Sequence, residues 1–200
     1  MIKRYLKLLA IGVAMVFALP WALIAGFGRF GRMFSFAAQA CAMSPGLPGD
    51  YLRIAFYKLT LEQCSLESRI SFGSFFAHPS AVIGQSVYIG SYCVLGSCRI
   101  GDRTQIASHV QILSGRCQHP RDISGNIGGA SEGEFQTIEI GPDCWIGASA
   151  IIMAPVGART TIGAGAVVVH PVEDGVVAVG NPARAIKGRL GSLRGVNSEP

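Results

Sequence analysis

The chain has 200 residues, half of them hydrophobic and only 14% charged, with a net charge of +5. That composition excludes a disordered chain and suits one main domain with a continuous core and a small attachment. No basic stripe interleaved with aromatics is present, so no nucleic-acid partner is expected. The charge is uneven: Lys3, Arg4, Lys7, Arg29 and Arg32 all fall in the first 35 residues, with no acid among them. Basic residues flanking apolar sequence suit a membrane surface.

Leu8 to Gly28 is a run of 21 residues without a charge, long enough to cross a bilayer. Ala38-Gln39-Ala40 has the form of a cleavage site. Arg29 and Arg32 stand between it and the apolar run, however, and the run is long for a signal peptide. Pro20 lies near the middle of the run, where it removes a helical hydrogen bond. Basic residues on both flanks disfavour a straight span, because they prefer the cytoplasmic side. Residues 1–32 are therefore predicted to be a hydrophobic membrane helix or a re-entrant hairpin kinked at Pro20. Residues 33–69 are predicted to be a helical connector. In it Asp50 is a candidate N-cap, and Leu52, Phe56 and Leu59 recur at helical spacing, with Arg53 and Lys58 off that stripe. This reads as a short amphipathic helix, lying on a membrane or capping the core.

From Ile83 the chain counts in sixes. Ile83-Gly84, Ile89-Gly90 and Leu95-Gly96 are followed, after a slip of one, by Ile100-Gly101, Ile106-Ala107 and Ile112. The beat returns at Ile140-Gly141, Ile146-Gly147 and Ile152, slips by two, and closes with Val156-Gly157, Ile162-Gly163 and Val168. An aliphatic residue followed by a small one every six positions fits neither a helix nor an alternating strand. It predicts a hexapeptide-repeat parallel β-helix of roughly four coils, each burying its aliphatics against its neighbours. The six cysteines, at 41, 64, 93, 98, 117 and 144, show no metal-ligand spacing. No metal is expected, and Cys93 and Cys98 read as small hydrophobes within the coils.

Between Ile112 and Ile140 the beat stops. Residues 114–137 are polar and hold Arg116, Cys117, His119, Pro120, Arg121 and Asp122. An excursion of that length from a regular solenoid is usually functional or disordered. Beyond it come Ile140-Gly-Pro-Asp-Cys-Trp-Ile-Gly-Ala148, Ile162-Gly-Ala-Gly-Ala166 and Gly180-Asn-Pro-Ala-Arg184. Together with His119-Pro120 in the loop, these resemble the hexapeptide-repeat acyltransferases, among them the maltose and galactoside O-acetyltransferases. The apolar leader is more similar to membrane-associated acetyltransferases of exopolysaccharide assembly.

The resemblance implies a left-handed parallel β-helix over residues 70–190, followed by a tail over 191–200. It also implies a homotrimer whose active sites form where subunits meet. By the same resemblance the acyl donor is acetyl-coenzyme A and the acceptor a saccharide or lipid-linked glycan, on the cytoplasmic face of a bacterial inner membrane. His119 matches the family's general base. Imidazole, titrating at about pH 6.5, can take the proton of a hydroxyl as it attacks a thioester. Ala148 and Ala164 match positions along the pantetheine arm, and His170, Arg184 and Lys187 match positions near the coenzyme phosphates. His109 and Arg116 are candidates for substrate contact, although His109 also suits a structural role. Three alternatives stay open: N-acylation of an amino sugar, acyl transfer through Cys117, and a non-catalytic membrane-bound scaffold. A zinc hydratase on the same solenoid needs three converging histidines, a pattern that His78, His109 and His119 do not show.

Overall fold

The structure is a computed structural model that describes residues 2–115, 119, 121, 123–128 and 135–186, with side chains from Leu9 onward. Three helices precede a parallel β-solenoid: α1 (Ile2–Ile24), α2 (Gly31–Ala42) and α3 (Gly46–Thr60). Each coil of the solenoid has three short sides. On the first face Gln63–Cys64, Val82–Ile83, Cys98–Ile100 and Ile138–Ile140 pair in parallel, continued by bridges at Val156 and Val172. The second face stacks Arg69–Ile70, Tyr88–Ile89, Gln105–Ile106, Trp145–Ile146, Thr161–Ile162 and Val177–Val179. The third stacks Phe75–Phe76, Val94–Leu95, Gln111–Ile112, Ile151–Ile152 and Val167–Val168. Arg184–Ile186 closes the far end as an antiparallel strand on Val177–Val179.

The solenoid has about six turns, rather than the four predicted. The difference lies at the ends, where Cys64, Ile70 and Phe76 form an irregular first coil and Val172 and Ala178 a last one. Along each face the second or last strand residue points inward. Ile70, Ile89, Ile106, Ile146 and Ile162 are fully buried in one such column. Each contributes about 1.5–3 kcal/mol by leaving water. The residue after the aliphatic is small because the next coil crosses there: a Cβ on Gly101 would lie 2.5 Å from the Pro142 nitrogen.

The slips in the six-beat all fall at one place. Two corners keep constant length, the first between faces one and two, the second between faces two and three. They are sealed by residues in the left-handed region, such as Arg103 (φ 58°), His109 (φ 62°), Asp143 (φ 58°) and Ser149 (φ 60°). That conformation aims each N–H at the coil below: Arg103 N donates to the Gln85 carbonyl at 2.8 Å and Ser149 N to the Ser108 carbonyl at 3.0 Å. Those bonds offset the cost of the left-handed region, about 1–2 kcal/mol per non-glycine residue. The third corner, from the third face back to the first, varies in length and emits the excursion. Buried hydroxyls add a ladder inside the stack. Thr104 Oγ1 donates to the Gly141 carbonyl at 2.8 Å and accepts from Cys144 N at 3.2 Å.

The helices correct three sequence expectations. α1 runs unbroken through Pro20, and the chain reverses instead at Gly26, Phe27 and Gly28, all with positive φ. A Cβ on Gly28 would strike the Thr60 carbonyl at the end of α3, so only glycine lets the turn seat there. Among the described residues no helix is long and apolar enough to cross a membrane. Asp50 is not an N-cap, since α3 starts at Gly46 behind Pro45. Arg53 is not on a solvated face: it is fully buried. Its guanidinium donates to the carbonyls of Ser44 (2.6 Å), Ala42 (3.3 Å) and Cys41 (3.4 Å) at the end of α2, and to Ile70 of the first coil (2.8 Å). Asp50, itself held by Arg69 at 2.7 Å, completes the shell at 2.5 Å. Burial lowers the Arg53 pKa, and Asp50 offsets part of that. α3 thus caps the solenoid. Phe34, Phe56, Tyr57 and Phe76 form a continuous aromatic row from α2 into the first coil, with centroids 5.1–5.9 Å apart.

Candidate active site

The residues nominated by sequence fall on two corners. The third corner holds the excursion. Its base is stitched to the stack: Ser97 N donates to Ser114 Oγ at 2.9 Å, Ser97 Oγ meets Thr137 Oγ1 at 2.9 Å, and Gln136 N donates to the Ser114 carbonyl at 2.9 Å. Phe135 leans on the His78 ring at 5.8 Å, which gives His78 a packing role at the foot of the loop. Within the loop Arg121 and Ile127 form an antiparallel bridge, and Arg121 Nη1 donates to the Gly125 carbonyl at 2.7 Å. This small turn presents His119, which is exposed. His119 Nδ1 lies 3.3 Å from the Gly128 carbonyl. A carbonyl only accepts, so in that bond Nδ1 carries the proton and the neutral ring keeps its lone pair on Nε2. Arg116, Cys117 and Lys187 lie outside the described residues.

Higher on the same corner, His170 and Arg184 line one cavity of about 310 Å³ with Glu173 and Ala183. Both side chains are exposed. Arg184 reaches it because the terminal antiparallel strand folds back over Val177–Val179, with Ala183 N bonded to the Val167 carbonyl at 2.8 Å. A guanidinium beside an imidazole at a cavity mouth suits phosphate groups, which an arginine can grip by two hydrogen bonds.

The second corner collects the others. Ala148 and Ala164 are exposed and stack in successive coils, with Gly165 N donating to the Ala148 carbonyl at 2.8 Å. Their small side chains leave the backbone open to an extended ligand. His109 sits one coil lower in this corner. Its N–H donates to the Ser91 carbonyl at 2.9 Å and its ring stacks on Tyr92 at 5.4 Å and 11°. The structure thus gives His109 a corner-sealing place, away from the loop. The third face lies between the corner that emits the excursion and the corner that carries Ala148 and Ala164. Tyr92 is the neighbour that sequence reading missed, because nothing in the repeat marks which corner residues stack.

Another groove, of about 610 Å³, runs along the first face over Gly84, Gly101, Gly141 and Gly157, between Arg99 and Asp174. None of the nominated residues lines it. At the first corner nearby, Arg103 binds Asp143 through two bonds of 2.7 Å, which holds the Asp143 carboxyl below its usual range. No group of histidine, cysteine and carboxylate side chains able to hold a metal occurs among the described residues.

Residues 80–114 match the family described as bacterial transferase hexapeptide (six repeats). The trunk is a hexapeptide-repeat solenoid. In sequence, it is similar to the bifunctional protein GlmU of Azotobacter vinelandii (strain DJ / ATCC BAA-1303), 32% identical over 117 residues. That match covers 58% of this chain and 22% of GlmU, so the chain spans about a fifth of that relative's length. In structure, the hexapeptide trunk is similar to a maltose O-acetyltransferase from Clostridium difficile 630 (TM-score 0.67, 23% identity, 80% of this chain and 86% of that one). It is also similar to a hexapeptide-repeat acetyltransferase from Vibrio cholerae (TM-score 0.66, 21% identity, 84% and 93%). A third likeness is to AntD, an N-acyltransferase from Bacillus cereus solved with dTDP and 3-hydroxybutyryl-CoA (TM-score 0.54, 21% identity, 68% and 88%). At these identities the structural likeness establishes the fold.

Proposed function

We propose that the protein is a coenzyme A-dependent O-acyltransferase, using acetyl-coenzyme A to modify a saccharide or lipid-linked glycan, with His119 as general base. The observation that carries this reading is the excursion stitched at its base to the third corner, which holds an exposed histidine whose Nδ1 faces the Gly128 carbonyl. His119 Nε2 takes the proton of the acceptor hydroxyl as that oxygen attacks, and the Gly128 carbonyl steadies the imidazolium through Nδ1. The acyl donor supplies a thioester carbonyl as electrophile: the new C–O bond forms as the C–S bond breaks, and the coenzyme leaves as a thiolate that takes the proton back from His119. Arg184, His170 and Lys187 would hold its phosphates, and the Ala148–Ala164 edge would flank its pantetheine arm.

The division of these groups between two corners supports a trimer of left-handed β-helices, in which the second corner of one copy faces the third corner of the next. A cytosolic acetyl-coenzyme A donor, with the basic apolar N-terminus, would suit a site on the cytoplasmic face of the inner membrane. The test is thiol release from acetyl-coenzyme A against a panel of glycans, amino sugars and lipid-linked sugars. Release that requires a hydroxyl acceptor is expected. Release only with amino sugars assigns N-acylation instead, and failure to bind coenzyme at all leaves a scaffold and refutes the reading.

A further inference from the structure

The N-terminal helices are packed inside out. Along α1 the buried face is mostly small: beside Ile11 it holds Ala14, Ala18 and Ala22, and Ala25 just past the helix continues it. The outer face is large and apolar, with Val16 and Phe17 70% and 66% exposed, beside Leu9, Val13, Leu19 and Leu23. α2 buries one large residue, Phe34, with Ala37, Ala38 and Cys41, while Met33 and Phe36, and Phe30 just before the helix, face outward. Water drives large apolar groups inward, whereas helices in hydrocarbon bring small residues together and leave the large ones to lipid. The exposed patch also carries a groove of about 710 Å³ between α1 and the start of α3, lined by Val13, Phe17, Trp21, Pro48 and Leu52. Tyr51 also lines it, and with Trp21 supplies the residue types favoured where hydrocarbon meets headgroups.

Charge names the partner. Lys3, Arg4 and Lys7 lie at one end of α1 and Arg29 and Arg32 just past the other, and no acid precedes Asp50. We propose that α1 and α2 form a one-leaflet docking surface for an anionic phospholipid bilayer. α1 lies along the membrane, lipid chains meet its outer face and enter the groove, and the basic residues at both ends meet lipid phosphates. α1 does not cross the bilayer. Its inner face rests on α3, which Arg53 and Tyr57 lock to the first coil, where Arg53 Nε donates to the Ile70 carbonyl and Phe76 N donates to the Tyr57 hydroxyl at 3.0 Å. The proposal deepens the membrane placement given above and is independent of the chemistry at His119.

The test is flotation of the full chain, diluted from detergent into preformed vesicles of phosphatidylethanolamine and phosphatidylglycerol. The wild type is expected to float, and to do so several-fold less with phosphatidylcholine vesicles or in 1 M salt, where screening shortens to about 3 Å. Val16→Glu/Phe17→Glu is expected to cut flotation at least tenfold with its melting temperature in detergent unchanged. Arg29→Gln/Arg32→Gln should weaken binding to the anionic vesicles alone. Trypsin added outside intact vesicles should cut at Lys3–Lys7. Wild type that stays at the bottom of the gradient, or a double-glutamate variant that floats fully, overturns the proposal. Protection of Lys3–Lys7 overturns it in favour of a span. A lipid-free oligomer lost in the double-glutamate variant, without flotation, assigns the face to a second copy and overturns it too. His119→Ala should float like the wild type, so failure of the acyl-transfer reading leaves this result standing.

Discussion

In the trunk, Ile89, Ile100 and Ile106 point inward while Arg99, Arg103 and Gln105 point out. In the helical region the order inverts, with Ala18, Ala22 and Ala37 inside and Val16, Phe17 and Phe36 outside. The trunk draws its stability from large side chains removed from water, a term proportional to apolar area. The helices gain little that way from their alanines. What fixes them is the aromatic row of Phe34, Phe56, Tyr57 and Phe76 together with a polar device, Arg53, which ties the end of α2 to the first coil through four carbonyls and one carboxylate. One region is therefore held by repetition and the other by a single local junction.

The sharpest way to break this comparison is Arg53→Met. It leaves four buried carbonyls without the guanidinium they share and Asp50 with Arg69 alone, a loss of at least about 1–3 kcal/mol for the unsatisfied buried groups. Denaturant unfolding in detergent is expected to show it as an early step in which the helices separate before the trunk melts. A single unshifted transition would mean that the aromatic row alone suffices. Next comes a paired truncation. Ile106→Ala should cost about 2–5 kcal/mol, whereas Val16→Ala should stay within about 0.5 kcal/mol. Equal costs would erase the distinction between the two outer faces.

A separate effect is alkaline. Burial pushes the thiols of Cys41 in α2, Cys64 at the junction and Cys98 in the trunk from 9.0 up to about 12. A folded-state pKa above the unfolded one means stability that is whole below pH 9 and lost as pH climbs from 9 toward 12. The expected slope is about 1.4 kcal/mol per pH unit for each thiol. The same burial should keep Cys41, Cys64, Cys93, Cys98 and Cys144 from alkylation at pH 8 until the protein unfolds. Fast labelling of Cys41 alone would show the helices opening independently.

The two regions were also unequally legible in sequence. The six-beat announced the coils because a solenoid repeats one local solution, and Ile83 to Val168 fall where the beat puts them. The ends were undercounted because Cys64, Phe76 and Ala178 fill aliphatic positions without looking aliphatic in pattern. Helical spacing found α3 but misread Arg53 and Asp50, since period alone does not tell a solvated charge from a buried lock. Pro20 suggested the reversal that Gly26–Gly28 supply. At the site, the loop stood out because it breaks the beat. The separation of His119 from Ala148 and Ala164 was hidden, because which corner a residue joins depends on where the slips accumulate.

The two histidines carry the comparison into the chemistry. His109 stacks on Tyr92 at a corner of the coil, whereas His119 sits on the excursion. The most direct measurement is therefore turnover of acetyl-coenzyme A with a saccharide acceptor in His119→Ala and His109→Ala, side by side. The account expects kcat to fall by roughly 10²–10⁴ in His119→Ala with coenzyme affinity unchanged, and only a few-fold in His109→Ala. Near-full turnover without His119, or its loss in His109→Ala alone, would contradict it.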